Sequence, residues 1–89
     1  MDTLIHMKIT YDPPKREANL LKHALDFADL EDGVFFETAL MRPAKGGRFM
    51  AIGRLADGTI SVVFALLGTE GISIISMRPA SKTERALLS

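Results

Sequence analysis

The first residues that could do chemistry lie near the start of the chain, at helical spacing. On a helix that turns about 100° per residue, five side chains fall within roughly 120° of one another. They are Lys15, Arg16, Asn19, Lys22 and His23. Cationic groups can hold a phosphodiester and stabilise the charge that builds on it, and an imidazole can transfer a proton near neutral pH. This face therefore predicts either phosphate chemistry with His23 as proton carrier, or an ordinary solvated helix surface.

Three arginines later in the chain could add to this cluster. Arg48 and Arg54 are six residues apart in one predicted strand, so they lie on the same face of it. Arg78 ends the last predicted strand, directly before Pro79. The first two arginines could instead cap the two ends of an apolar strand face.

The sequence offers no competing catalytic pattern. It has no Ser/His/Asp or Cys/His set, no phosphate-binding glycine loop and no paired carboxylates. His6 and His23 are far apart and have no acid at ligand spacing, so we expect neither a metal site nor a cofactor. We interpret His6 as structural.

Composition fits one small domain over residues 1–89. A hydrophobic content of 47% is enough for a core, and the lack of cysteine excludes disulfides and thiolate metal sites. The longest apolar run, residues 62–67, is far shorter than the ~20 residues that a membrane span needs. The first residues also lack the apolar stretch of a signal peptide. We therefore expect a cytoplasmic protein that does not enter a membrane.

Charge is segregated along the chain although the net charge is zero. Residues 26–37 contain five acids and no base, whereas residues 38–56 contain four bases and no acid. Segregation of this kind can create a local basic patch for a phosphate backbone. It can also mean that neighbouring elements pair their charges.

Periodicity and turn residues predict the elements that position these groups. A half-buried strand over Leu4–Tyr11 leads into a helix that Asp12 caps and Pro13 begins. A short helical segment follows at about Asp26–Leu30, and Ser81–Glu84 has the spacing of a capping box that opens a C-terminal helix. The other predicted strands are residues 34–42, 49–55, 59–67 and 72–77, with a loop at Pro43–Gly47 and a hairpin turn at Asp57-Gly58.

Together these elements predict a two-layer α+β fold. Consecutive strands joined by short turns imply an antiparallel meander, with the helices packed on one face of the sheet. The first helix is expected to end near Ala24 or Leu25 and to turn its apolar side to the core. That side consists of Ala18, Leu20, Leu21, Ala24 and Leu25.

Four segments of the chain resemble, in order, the motifs of the BrnT toxin family. Tyr11–His23 resembles the family's opening, with its aromatic-Asp pair and Asn-Leu-x-Lys-His run. Arg48–Gly53, Ile74–Ala80 and Glu84-Arg85 resemble the later blocks. The resemblance covers nearly the whole chain from Lys8 onward.

This resemblance implies a RelE-like fold and a type II toxin–antitoxin module. Members are ribonucleases that arrest translation, and our first hypothesis for this chain is a metal-independent endoribonuclease that acts on RNA. The implied partner is a BrnA-type antitoxin with a ribbon-helix-helix part, and operator DNA is bound only through it in a hetero-oligomer. Carried over by position, the catalytic residues are Lys22, His23, Arg48 and Arg78. Lys15, Asn19, Arg16 and Arg54 are the predicted RNA-binding residues.

The chain also departs from the family's pattern. Ala65–Leu67 stands where many members carry a Thr and an Arg, and Ser73 stands where Arg is common. Ala24 replaces a Gly, and the last helix has no Tyr. The missing cations support a second hypothesis, a degenerate toxin that mainly holds its antitoxin on DNA. A third is a small sheet domain that only mediates assembly.

Overall fold

A computed structural model of the protein describes residues 8–56 and 58–88. Its strands are β1 (Lys8–Tyr11), β2 (Leu40–Pro43), β3 (Phe49–Leu55), β4 (Gly58–Leu67) and β5 (Gly71–Pro79). Its helices are α1 (Pro13–His23), α2 (Val34–Thr38) and α3 (Lys82–Ala86), with 3₁₀ turns at Phe27–Leu30 and Lys45–Gly47. The start of the predicted first strand, His6 and Asp57 of the predicted hairpin lie outside the described residues. No helix in these ranges is long and apolar enough to cross a membrane.

One five-stranded sheet organises the fold, in the order β1-β5-β4-β3-β2. Strands β2 to β5 pair antiparallel with their neighbours in sequence, but β1 pairs in parallel with β5. The predicted α+β class is confirmed, and the expectation that every strand pairs antiparallel is wrong for β1. A parallel pair needs a long crossover. Here the whole stretch from α1 to β4 separates the two strands.

The hydrophobic core lies between one face of the sheet and the segment that follows α1. Phe27, Leu30, Phe35 and Phe36 cover buried strand residues such as Phe64. The Phe36 and Phe64 rings meet edge to face, with centroids 5.5 Å apart. Aromatic pairs in this geometry add to what burial alone contributes.

The strand predicted over residues 34–42 is wrong in its first half, where the chain forms α2. Gly33 takes a positive φ of 75°, and Asp32 accepts a hydrogen bond from the Val34 N–H. In a strand, the consecutive residues Phe35 and Phe36 would point to opposite faces. In the helix both enter the core. The hydrophobic run therefore serves a helix, and only Leu40–Pro43 continues as a strand.

Helices cover both faces of the sheet, contrary to the expectation of one. Register pairs Ser61 with Arg78, while their neighbours Val62 and Met77 point into the core. The side chains of Ser61 and Arg78 therefore lie on the opposite face, and Glu84 of α3 bonds to both. The predicted capping box of α3 is confirmed in both of its hydrogen bonds. We refer to the face that carries Ser61 and Arg78 as the outer face.

Candidate functional site

Helix α1 turns its polar side toward β5, which reverses the predicted orientation. Asn19 is buried, whereas Leu21 is 90% exposed and Leu20 is 41% exposed. The reason lies in the sheet edge: β1 pairs with β5 only as far as Ile74, so the backbone of Met77 needs another partner. Asn19 supplies it, since its Oδ1 accepts the Met77 N–H at 3.0 Å. An apolar side chain there would leave a buried donor unpaired.

A groove forms where α1 meets β5, with a volume of about 250 Å³. Asn19 also fixes the end of the helix, because its Nδ2 donates to the Leu25 carbonyl at 3.1 Å. Ala24 closes α1 in a left-handed conformation. Four of the five residues predicted to share a helix face line this groove, together with Ile75 and Ser76 of β5: Lys15, Asn19, Lys22 and His23.

Arg78 lies two residues beyond Ser76 on β5, about 7 Å along the strand. It forms a two-pronged ion pair with Glu84, in which Nη1 and Nη2 each donate to a carboxylate oxygen at 2.7 Å. Ser61 and the Ser81 N–H donate to the same carboxylate, each at 2.8 Å. The guanidinium of Arg78 lowers the pKa of Glu84 to about 2, and bonds from Ser81 and Ser61 act in the same direction. The carboxylate is therefore charged and fully partnered at neutral pH.

Arg48 approaches the outer face from its opposite end. It directly precedes β3, is exposed, and is two residues before Met50 in extended backbone, so its side chain falls on the outer face. The register row through Met50 runs across Val63 to Ser76. Four register positions and two strand spacings separate Arg48 from Arg78, roughly 16 Å between Cα atoms. The two arginines thus flank one shared surface.

Arg16 and Arg54 are not brought to this groove. The Nε and Nη2 of Arg16 donate to the two oxygens of Asp26 at 2.6 and 2.8 Å, which ties α1 to the 3₁₀ turn that follows it. This pair lowers the pKa of Asp26 to about 2. Arg54 lies at the far end of β3, where it lines a separate pocket with Thr38 and Leu88.

Small polar residues of the outer face were not predicted as part of the site. Register places Ser73 between Thr10 of β1 and Ala65 of β4. Together with Ser76, these three residues form a surface of small side chains beside the α1 groove. Alternation along β5 was the available signal for Ser73, but the bulge between Val63 and Phe64 shifts the register before Ser76.

Glu84 was also missed as a partner of Arg78. Its position in the capping box was recognised, but that role uses only one of the hydrogen bonds that the carboxylate accepts. In the described part of the chain, no three His, Cys, Asp or Glu side chains are grouped so that they could hold a metal ion.

Comparison with known proteins gives two findings. Residues 11–84 match the family model described as the ribonuclease toxin, BrnT, of type II toxin–antitoxin systems. The chain is also similar to the crystal structure of the Brucella abortus ribonuclease toxin, BrnT, with 48% identity and a TM-score of 0.77. That alignment covers 85% of this chain and 99% of the other. No curated protein matches the chain.

Proposed function

Since the chain belongs to the BrnT family of ribonuclease toxins of type II toxin–antitoxin systems, we propose that it is a metal-independent endoribonuclease that cuts RNA in the groove between α1 and β5. One observation carries this proposal: Lys15, Lys22 and His23 of α1 line an open groove together with Ser76 of β5. Both lysines are exposed there, so their ammonium groups can reach a phosphate that enters the groove.

The reaction we propose is an internal transesterification of RNA. The ribose 2′-oxygen attacks the adjacent phosphorus, and its proton passes to His23, or to Lys22 if that amine is the base. The bond from phosphorus to the 5′-oxygen breaks, and that oxygen takes up a proton. The products are a 2′,3′-cyclic phosphate and a 5′-hydroxyl end. Because no oxidant or hydrolytic water is consumed, the residues need only move a proton and stabilise charge.

We assign the two arginines to different phosphates. Glu84 holds the Arg78 guanidinium near Ser61 of β4. Arg78 itself is on β5, the strand that also carries Ser76 of the groove. Arg78 would therefore stabilise the scissile phosphate, and Arg48 a flanking one. Lys15 and Asn19 would support RNA binding from α1, the latter mainly by fixing the helix. Arg16 and Arg54 would contribute only to more distant parts of the RNA.

Membership of a type II system implies an antitoxin partner. We further propose that this partner is of the BrnA type, with a ribbon-helix-helix part through which the complex binds operator DNA. Cleavage of RNA in the cytoplasm would then inhibit translation until the antitoxin binds. The fold is inferred to be RelE-like, with residues 1–89 as one domain.

The test is incubation of the purified chain with total RNA in EDTA, beside the His23→Ala and Arg78→Ala variants. Loss of the general base should slow cleavage by about 10²–10⁴-fold. Lys82→Ala is the matched control, because it removes an exposed cation from α3 without touching the groove. Full activity of His23→Ala would remove that residue from the mechanism.

A second candidate function is a binding module that holds its antitoxin on DNA. The observation that favours it is the family arginine and threonine positions occupied here by Ser73 and Ala65–Leu67. Expression without an antitoxin separates the two functions. Growth arrest supports the ribonuclease, and normal growth together with no cleavage in EDTA supports the binding module.

A further inference from the structure

We propose that Glu84 is a positioning residue, which holds Arg78 by one edge of its guanidinium so that the other edge is presented to an RNA phosphate. This inference rests on the proposed function, in which Arg78 stabilises the reacting phosphate. The observations that carry it are the hydrogen bonds around the two groups and the position of α3.

The Glu84 carboxylate is fixed independently of Arg78. One of its oxygens, Oε1, accepts from the Ser61 hydroxyl on β4 and from the Ser81 N–H at the start of α3, each at 2.8 Å. Ser81 in turn accepts the Glu84 N–H at 3.1 Å. The side chain of Glu84 is only 15% exposed. A carboxylate that accepts from a strand residue and from the N-cap backbone N–H of its own helix can fix the orientation of its ion-pair partner.

The donors of Arg78 divide into two sets. A guanidinium carries five N–H groups in a plane. Nη1 donates to Glu84 and, at 3.2 Å, to the Pro79 carbonyl, and Nη2 donates once to Glu84. The Nε–H and the second Nη2–H remain, and no protein acceptor takes them among residues 8–56 and 58–88. These two hydrogens point the same way along one edge of the plane.

That remaining edge is suited to a phosphate. Two parallel N–H groups match two phosphate oxygens, and such pairs are short and directional. The Arg78 side chain is 36% exposed, so a phosphate can approach it from solvent. The charge of Glu84 does not oppose the phosphate strongly, because Ser61, Ser81 and Arg78 already satisfy it.

Removing the Glu84 charge should therefore lower kcat more than it raises KM. In Glu84→Gln the guanidinium keeps its charge but loses its fixed orientation, and a misplacement of about 1 Å can cost on the order of 10²-fold in rate. We expect kcat and kcat/KM for RNA cleavage to fall together, which marks an interaction made in the transition state. Ser61→Ala leaves the Glu84–Arg78 pair in place and should cause a smaller loss. Lys82→Ala, in the same helix turn, should leave both constants unchanged.

A spectroscopic measurement keeps the inference testable if the chain does not cleave RNA, and its wild-type arm does so even if Glu84→Gln is unstable. In Arg-labelled protein, inorganic phosphate should shift the Nε–H resonance of Arg78 in the wild type. The shift should weaken strongly in Glu84→Gln and persist in Ser61→Ala, and circular dichroism verifies that each variant is folded.

The outcomes separate this inference from the proposed function. Wild-type kcat in a folded Glu84→Gln variant overturns the positioning role while the ribonuclease stands. A raised kcat also overturns it, since Glu84 would then compete with the substrate. If the wild type neither cleaves RNA nor arrests growth, the proposed function fails. An unmoved Nε–H resonance in phosphate overturns the positioning role by itself.

Discussion

Two arginine–carboxylate pairs in this small protein look alike but lie in different surroundings. Arg16 with Asp26 and Arg78 with Glu84 are both two-pronged, and in both pairs the arginine holds the carboxylate pKa near 2. The first uses the side edge of its guanidinium, Nε and Nη2, whereas the second uses the end, Nη1 and Nη2. The free edge and the surroundings, not the pair itself, decide which arginine can act on a ligand.

The surroundings differ in charge and in position. Arg16 lies next to a second acid, because Glu31 accepts the Tyr11 hydroxyl nearby and raises the pKa of that tyrosine. Arg78 lies on the outer face, beside Ser76 and the α1 groove. A phosphate near Arg16 would meet a second negative group, Glu31, whereas near Arg78 it would meet neutral side chains such as Ser76. We therefore interpret the first pair as a clamp and the second as part of the site.

Replacing each arginine by lysine should give the largest measurable difference between the two pairs, in the rate of RNA cleavage. Lysine keeps the charge but cannot bind a carboxylate and a phosphate along two edges at once. Arg78→Lys should reduce RNA cleavage by about 10²-fold, comparable to removal of one transition-state donor. Arg16→Lys should cause a much smaller loss. Initial rates on one RNA substrate compare them, and equal losses would abolish the distinction.

A smaller effect is expected on stability, and here the carboxylates are compared. Glu84→Gln removes the negative charge and one of the two oxygens that accept from Arg78, and it weakens the bonds from Ser61 and Ser81, which should lower the free energy of unfolding by about 1–2 kcal/mol at neutral pH. Asp26→Asn breaks a more exposed pair and should cost less, because solvent screens it. Thermal unfolding of the two variants measures the difference. A larger loss in Asp26→Asn would mean that the Arg16–Asp26 pair contributes more to the free energy of unfolding than the Arg78–Glu84 pair.

Much of the fold follows from local sequence signals. The capping box of α3, β3 over Phe49–Leu55 and the positive φ of Gly46 and Gly47 all agree with the residues that predict them. The capping box and the glycine conformations depend on a few neighbouring residues. The strand preference of the β3 residues is also local, and the pairing with β2 and β4 completes that strand.

The features that could not be predicted depend on distant partners. Periodicity placed Leu20 and Leu21 toward the core, but α1 packs on an exposed strand backbone, which needs the amide of Asn19. Likewise, the acid in the capping box gave no sign that it would meet Arg78 and Ser61 across the outer face. Spacing identified four groove residues correctly as one face of a helix, because that property is local. The direction in which that face points depends on distant partners, so spacing could not predict it.

The smallest expected effect is a change in how stability depends on pH. Asp26 and Glu84 have pKa values near 2 in the folded protein, below their ordinary values of 3.8 and 4.5. A carboxylate with a depressed pKa stabilises the folded state above its unfolded pKa, and that contribution is lost as the pH falls through the folded value. The gap in Tm between the wild type and Glu84→Gln should therefore be widest above about pH 5 and close as the pH approaches 2. Asp26→Asn should follow the same course with a smaller gap, and thermal unfolding at half-unit pH steps measures both. A gap for Glu84→Gln that persists at pH 2 would mean that the stabilisation does not come from the charge that Glu84 shares with Arg78.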